Sequence, residues 1–362
     1  MTGSTDTLPS TGAVGSDPKP PPARRRTRLA DVRHALGVEP RAVVGNAALL
    51  TLLVVFAGVG LCRGDVWSNP ADVAEGLAGH GDLSVVVREW RLPRVVAACL
   101  FGALLGCAGA VFQNLTRNEL GSPDVIGLDV GAYTGALIVM VVIGGSSTTT
   151  TLGAVIGGLL TAGVVLALST RSGFGGHRLI VIGIAVNSMF TAVNSWIILR
   201  ADLDVAIAAE MWNVGSLNGV DWADLNVVFV VASVLAVLLV LNARATQQAA
   251  LGDAIAVTSG VRLNRHRLLA VVVGAGCTAT VTAVTGPIAF VALAAPHLGR
   301  AVTRSPGIHF IPAALTGSVL LLSADLVAQT VLAPVTLPVG VVTTAIGGAY
   351  LLLLLLKEVK RP

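Results

Sequence analysis

From Ala42 onward the chain is a succession of long apolar runs separated by short polar or glycine-containing joints. A bilayer core of ~30 Å calls for roughly 20 apolar residues per helix. By that measure ten runs are countable, at about 42–62, 93–113, 124–144, 151–169, 179–199, 225–242, 268–285, 286–302, 310–333 and 337–356. The seventh and eighth are split only at Gly286-Pro287, which predicts a tight hairpin between them. The polar interruption at 243–267 has an internal pattern: Leu251, Ile255 and Thr258 or Ser259 recur at helical spacing between Gly252 and Gly260. That spacing predicts a short helix lying along a surface. Ahead of all this, residues 1–41 are rich in Ser, Thr, Gly and Pro and then basic, a composition that cannot bury a core. The expected organisation is a disordered basic cytoplasmic tail over 1–41 and one transmembrane domain over 42–362.

Composition agrees with this pattern: 54% of the residues are hydrophobic and 12% charged. The charged share is about half that of a soluble domain. Lys and Arg sit at the ends of apolar runs rather than in one patch, which speaks for membrane orientation and against nucleic acid. With the amino terminus inside, only Arg63, Arg88, Arg91, Arg94 and Arg200 fall on outer segments. The positive-inside rule then puts both termini in the cytoplasm. The cluster Arg88, Arg91 and Arg94 works against that orientation and asks for a functional explanation.

Catalytic chemistry is not visible. Cys62, Cys99, Cys107 and Cys277 lie inside apolar runs without C-x-x-C spacing, and the six histidines are scattered, so neither a metal site nor any cofactor is expected. The sequence has no G-x-x-x-x-G-K-[ST] loop and no nucleophile-base constellation, so the chain is read as a non-enzyme. Two aspartates, Asp129 and Asp325, lie at membrane depth, where a charge costs roughly 2.5 to 3.5 kcal/mol on insertion scales. They could bond to neighbouring helices, or serve as the relay of a secondary transporter driven by an ion gradient. The fifth run carries Asn187, Thr191 and Asn194 or Ser195 at i, i+4 and i+7 or i+8, a polar stripe that either bonds across helices or lines a wet path.

Several segments then appear in a familiar order: R-L-P-R (91–94), G-A-V-F-Q-N-L-T-R-N-E-L-G-S-P-D-V-I-G-L (109–128), L-G-D-A-I-A-V-T-S-G-V (251–261), G-P-I-A-F-V-A-L-A-A-P-H-L-G-R (286–300), A-D-L-V-A-Q-T (324–330) and L-P-V-G-V-V-T-T-A-I-G (337–347). From about Arg88 to the end the chain resembles the permease subunit of the iron-siderophore and cobalamin class of ABC importers, the FecCD type. Within that family R-L-I-V-I-G-I-A-V-N-S-M and M-W-N-V-G-S-L-N-G are most similar to ferric-enterobactin permeases.

The resemblance implies an all-α type II importer permease of ten helices in the bacterial cytoplasmic membrane. It also implies a second permease subunit, two cytoplasmic ATPase subunits and an extracytoplasmic siderophore-binding protein as partners. The cargo would be a ferric siderophore of the catecholate, enterobactin-like kind, with haem or cobalamin as alternatives within the class. Arg91 and Arg94 would meet carboxylates of the binding protein, as would position 329, where this chain has Gln329 in place of the family's arginine. Leu251, Gly252, Asp253, Ile255, Ser259 and Gly260 would couple to the ATPase. Asn118 would be the inner gate, with Asn187, Thr191 and Asn194 along the pathway. Where the family usually reads R-N-P-L, this chain has Arg117, Asn118, Glu119 and Leu120.

Overall fold

The computed structural model describes residues 40–64, 67–170, 175–305, 307 and 309–359. Residues 1–39 of the basic tail lie outside the described residues, and Pro40 and Arg41 already belong to the first helix. All regular structure among the described residues is helical. In chain order the helices are α1 (Pro40–Cys62), α2 (Pro70–Leu77), α3 (Leu92–Thr116), α4 (Leu128–Ile138), α5 (Ser147–Thr170), α6 (Gly176–Arg200) and α7 (Leu203–Asn213). They continue with α8 (Trp222–Ala250), α9 (Asp253–Thr258), α10 (Leu263–Thr285), α11 (Val291–Thr303), α12 (Phe310–Thr330) and α13 (Val339–Val359). Wide π-helical turns lead into α3 (Val86–Arg91) and extend α4 (Val139–Ile143).

Each of the ten apolar runs becomes one helix, and seven of them are long and apolar enough to cross a bilayer. The eighth differs from expectation. Its first residues, 286–290, are not helical, and α11 has 13 residues with Pro296 inside. At ~1.5 Å per residue that is about 20 Å, short of the ~30 Å hydrocarbon core. Gly286 and Phe290 both have positive φ, so the expected hairpin between the seventh and eighth runs is an irregular connection of five residues. Two short helices, α2 and α7, were not among the runs. Asn69 and Pro70 start α2: the Asn69 side chain accepts from the Ala71 N–H at 3.5 Å.

Three helices form the centre. The spanning windows over 86–116, 263–285 and 310–330 are 72%, 67% and 56% buried within the chain, against 11% for α1 and 17% for α6. Phe101 and Leu105 of α3, Cys277 and Val281 of α10, and Leu321 and Leu322 of α12 share one apolar cluster with Leu225 and Leu235 of α8. The approach of α3 to α12 depends on small residues. A Cβ on Gly102 would come within 2.7 Å of the Ser318 Cα, and one on Gly106 would overlap the Ala313 carbonyl. Gly131 and Gly135 of α4 meet Thr161, Gly153 and Gly157 of α5 in the same way. In lipid, where apolar side chains gain little by leaving acyl chains, such backbone contact is what holds helices together.

Candidate functional site

Three groups of polar side chains mark the molecule: one at the Arg94 end of α3, one at its Arg117 end, and one along α6.

At the Arg94 end, Arg94 forms a two-pronged ion pair with Asp325 of α12, Nε at 3.0 Å from Oδ2 and Nη2 at 2.8 Å from Oδ1. The Asp325 side chain is 1% exposed. The Gln329 Nε2 donates to Asp325 Oδ2 at 2.7 Å, and the Gln329 carbonyl accepts from Arg63 Nη2 at 3.1 Å. Arg91 donates from Nη1 to the Leu61 carbonyl at 3.0 Å and to Ser68 Oγ at 2.9 Å, satisfying the last turn of α1. The three residues expected to receive a docking partner therefore converge, around a concavity of about 400 Å³ also lined by Arg63 and Trp90.

Their contacts within the chain differ from one another. Asp325, one of the two aspartates expected at membrane depth, has a charged partner in Arg94 on a neighbouring helix. The Arg94 guanidinium is in turn committed to Asp325 rather than presented outward, because a buried carboxylate is tolerated only when paired. Arg63 was missed. Its guanidinium lies 5.7 Å from the centre of the Trp67 ring, at the rim of the same concavity. The only sequence signal for it was an arginine directly after the first apolar run.

At the Arg117 end, α9 forms as the spacing predicted, bracketed by Gly252 (φ +126°) and Gly260 (φ +85°). A residue with a Cβ rarely adopts the backbone of Gly252. Leu251, Ile255 and Val257 are 69%, 49% and 57% exposed, apolar side chains left uncovered by the described residues, and Ser259 is exposed beside them. Asp253 points back toward the body of the protein, pairing with Arg117 and, at 2.6 Å, with Arg267 of α10. Partial burial alone would raise the Asp253 carboxyl, but the hydrogen bonds and charges of Arg117 and Arg267 outweigh it and hold it below the usual carboxylate range. The small stabilisation this brings is present above the unfolded carboxylate pKa and is lost as pH falls through the lowered folded value.

Arg117 itself ends α3 in the left-handed region (φ +51°). Asn118 is exposed, and its Oδ1 accepts from the Leu120 N–H at 2.9 Å, so the expected gate residue shapes the turn it sits on. Glu119 pairs with Arg300 and lies 3.3 Å from His297 Nδ1, both on α11.

Along α6 the predicted stripe divides. Asn194 is buried, and Asn187 packs against Gly127, while Thr191 is exposed together with Ser188 and Ser195. The three exposed hydroxyls bond to carbonyls four residues earlier on the same helix. Nearby, α7 exposes Leu203, Ile207 and Met211 on one ridge, and Tyr133 stacks on its Trp212 with ring centres 6.1 Å apart. Asp129 accepts from Thr282 Oγ1 of α10 at 3.3 Å, the helix-to-helix bond that was one of its two readings.

The profile of the FecCD transport family matches residues 49–357. The chain belongs to the FecCD transport family. Among relatives of this FecCD chain, the ferric enterobactin transport system permease protein FepG of Escherichia coli (strain K12) is 42% identical over 327 residues, covering 89% of this chain and 98% of that protein. The Fe(3+) dicitrate transport system permease protein FecD of the same organism is 34% identical over 284 residues, covering 77% of this chain and 87% of its own. A solved structure of a metal-chelate type ABC transporter in an inward-facing conformation superposes with a TM-score of 0.75 at 26% identity, covering 87% of this chain and 99% of that one. The FecCD chain is thus a polytopic permease, and its three polar groups lie on a transporter scaffold.

Proposed function

We propose that this chain is a permease subunit of an ATP-driven importer that carries a ferric siderophore of the catecholate, enterobactin-like class across the bacterial cytoplasmic membrane. The observation that carries the substrate class is the 42% identity to FepG over 98% of that protein's length. The iron is cargo held by its chelator.

The exposed apolar face of α9 supports coupling to a partner ATPase: a short helix held at its base by Asp253 and open on its other side suits a surface that is pushed. The poor burial of α6, together with its exposed Ser188, Thr191 and Ser195, supports a path between this chain and a second permease subunit, because hydroxyls facing lipid gain nothing. The concavity lined by Arg63, Arg91 and Gln329 supports docking of an acidic binding protein on the outer face, where such charges steer encounter more than they add affinity. Arg94 contributes there by holding Asp325 and Gln329 in place. In this reading both termini lie on the cytoplasmic side.

Uptake of labelled ferric siderophores, haem and cobalamin, compared in cells with and without the chain, tests the substrate. Catecholate uptake is expected to disappear on deletion and to survive a protonophore while ATP is maintained. Loss of haem or cobalamin uptake alone would refute the substrate reading. Leu251→Glu tests coupling. The side chain is 69% exposed, so folding is unaffected, but a charge on a docking face typically costs more than about 1.4 kcal/mol, or tenfold. Both import and the co-purified ATPase should fall at least that far.

A further inference from the structure

Two ion-pair clusters flank Asn118. On one side Arg117 pairs with Asp253 at the start of α9 and donates to the Ala249 carbonyl at 2.9 Å. On the other, Glu119 pairs with Arg300 of α11. Arg117 and Glu119 are two residues apart in one hydrogen-bonded turn, so what moves one moves the other. The left-handed backbone of Arg117 is disfavoured for a residue with a Cβ and is held by its contacts to Ala249 and Asp253.

The segment on which they sit grips α11 at three heights. Glu119 holds Arg300 near its carboxyl end, and Gln113 Nε2 donates to the Leu293 carbonyl at 2.9 Å near its start. Asp124 Oδ2 accepts from the Phe290 N–H at 3.1 Å just before the first turn. The Gln113 bond is buried, so sliding α11 past this segment would leave a polar group unpaired in the interior. α11 has only 13 residues and is entered from the irregular five-residue connection at 286–290, so these three contacts fix where it sits against α3.

We propose that residues 113–124 form a rigid link between α9 and α11, with Arg117 gripping α9 and Glu119 gripping α11, so that displacement of α9 carries α11 with it. The inference rests on the coupling reading of α9 given above. Glu119 and Arg300 are positioning residues in this link.

The Glu119 and Arg300 side chains are 50% and 34% exposed, and such pairs add little to stability, so reversing a charge should leave folding intact and act on transmission. In proteoliposomes holding the complete importer, its binding protein and a ferric catecholate siderophore, Glu119→Arg and Arg300→Glu are each expected to lower import roughly tenfold. The ATPase should stay bound and hydrolyse ATP in both. The two reversals combined should restore most of the import. Spin labels at the exposed Val257 and Val302 should keep one separation with and without ATP in the native chain and a broadened one in either single variant. Wild-type import in the single variants, no recovery in the double variant, or release of the ATPase by either reversal would overturn the link. Failure of the coupling reading itself has a separate signature, namely Leu251→Glu importing normally with the ATPase bound.

Discussion

Arg94→Ala is expected to lower the stability of the folded permease by about 3 kcal/mol, the low end for stripping one partner from a buried ion pair. Asp325 is 1% exposed and accepts three contacts from the Arg94 guanidinium. Without it, the carboxylate keeps, among the described residues, only Gln329 Nε2 at 2.7 Å, a neutral donor that cannot offset the lost charge. Arg94→Lys should recover part of the loss, since an ammonium supplies the charge but not the planar fork. Arg94→Met with Asp325→Leu, which removes both charges, should come back to near wild-type stability. Thermal unfolding in detergent, read as loss of the monodisperse peak, decides the matter. An Arg94→Ala protein with an unchanged midpoint and weakened binding-protein affinity would instead return Arg94 to the docking surface.

Gly109→Ala should be at least as damaging, by about 3 kcal/mol or more, through a different cause. A Cβ there would fall inside the Ala292 carbonyl of α11 and within 3.0 Å of the Pro296 ring. Neither the carbonyl of a packed helix nor a proline ring can rotate away, so α3 and α11 must separate along their contact. The separation would also stretch the neighbouring bond from Gln113 to Leu293. Gly163→Ala is the control: it lies on the exposed side of α5 with nothing within 4 Å of the added carbon. It should be neutral or stabilising by up to about 1 kcal/mol through helix propensity. Equal unfolding midpoints for the two variants would show that the α3–α11 contact is looser than its geometry implies.

Much of the architecture was readable from local pattern. Ten apolar runs became ten helices because the length of an apolar run and the thickness of a bilayer are matched by simple arithmetic. The α9 segment was readable because two glycines enclosing a helical period are a local signal. What failed was also local in appearance. The run at 286–302 is as apolar as its neighbours, yet positive φ at Gly286 and Phe290 delays the helix, and no periodicity records that. The ridge of Leu203, Ile207 and Met211 did carry a helical period, but 11 residues fall below the length at which a spanning run is counted.

The amino-acid sequence by itself determined that this is a membrane chain, how many apolar helices it has, where α9 lies, and which family its motifs resemble. Only the tertiary structure decided that Arg94 belongs to Asp325, 231 residues away, that Glu119 grips α11, and that Arg63 joins the concavity near Gln329. The physical reason is that helices apolar on every side carry no stripe to announce which way they face. Their rotation and depth are set by glycine contacts and a few buried polar bonds between distant parts of the chain, and those are settled only when the helices pack.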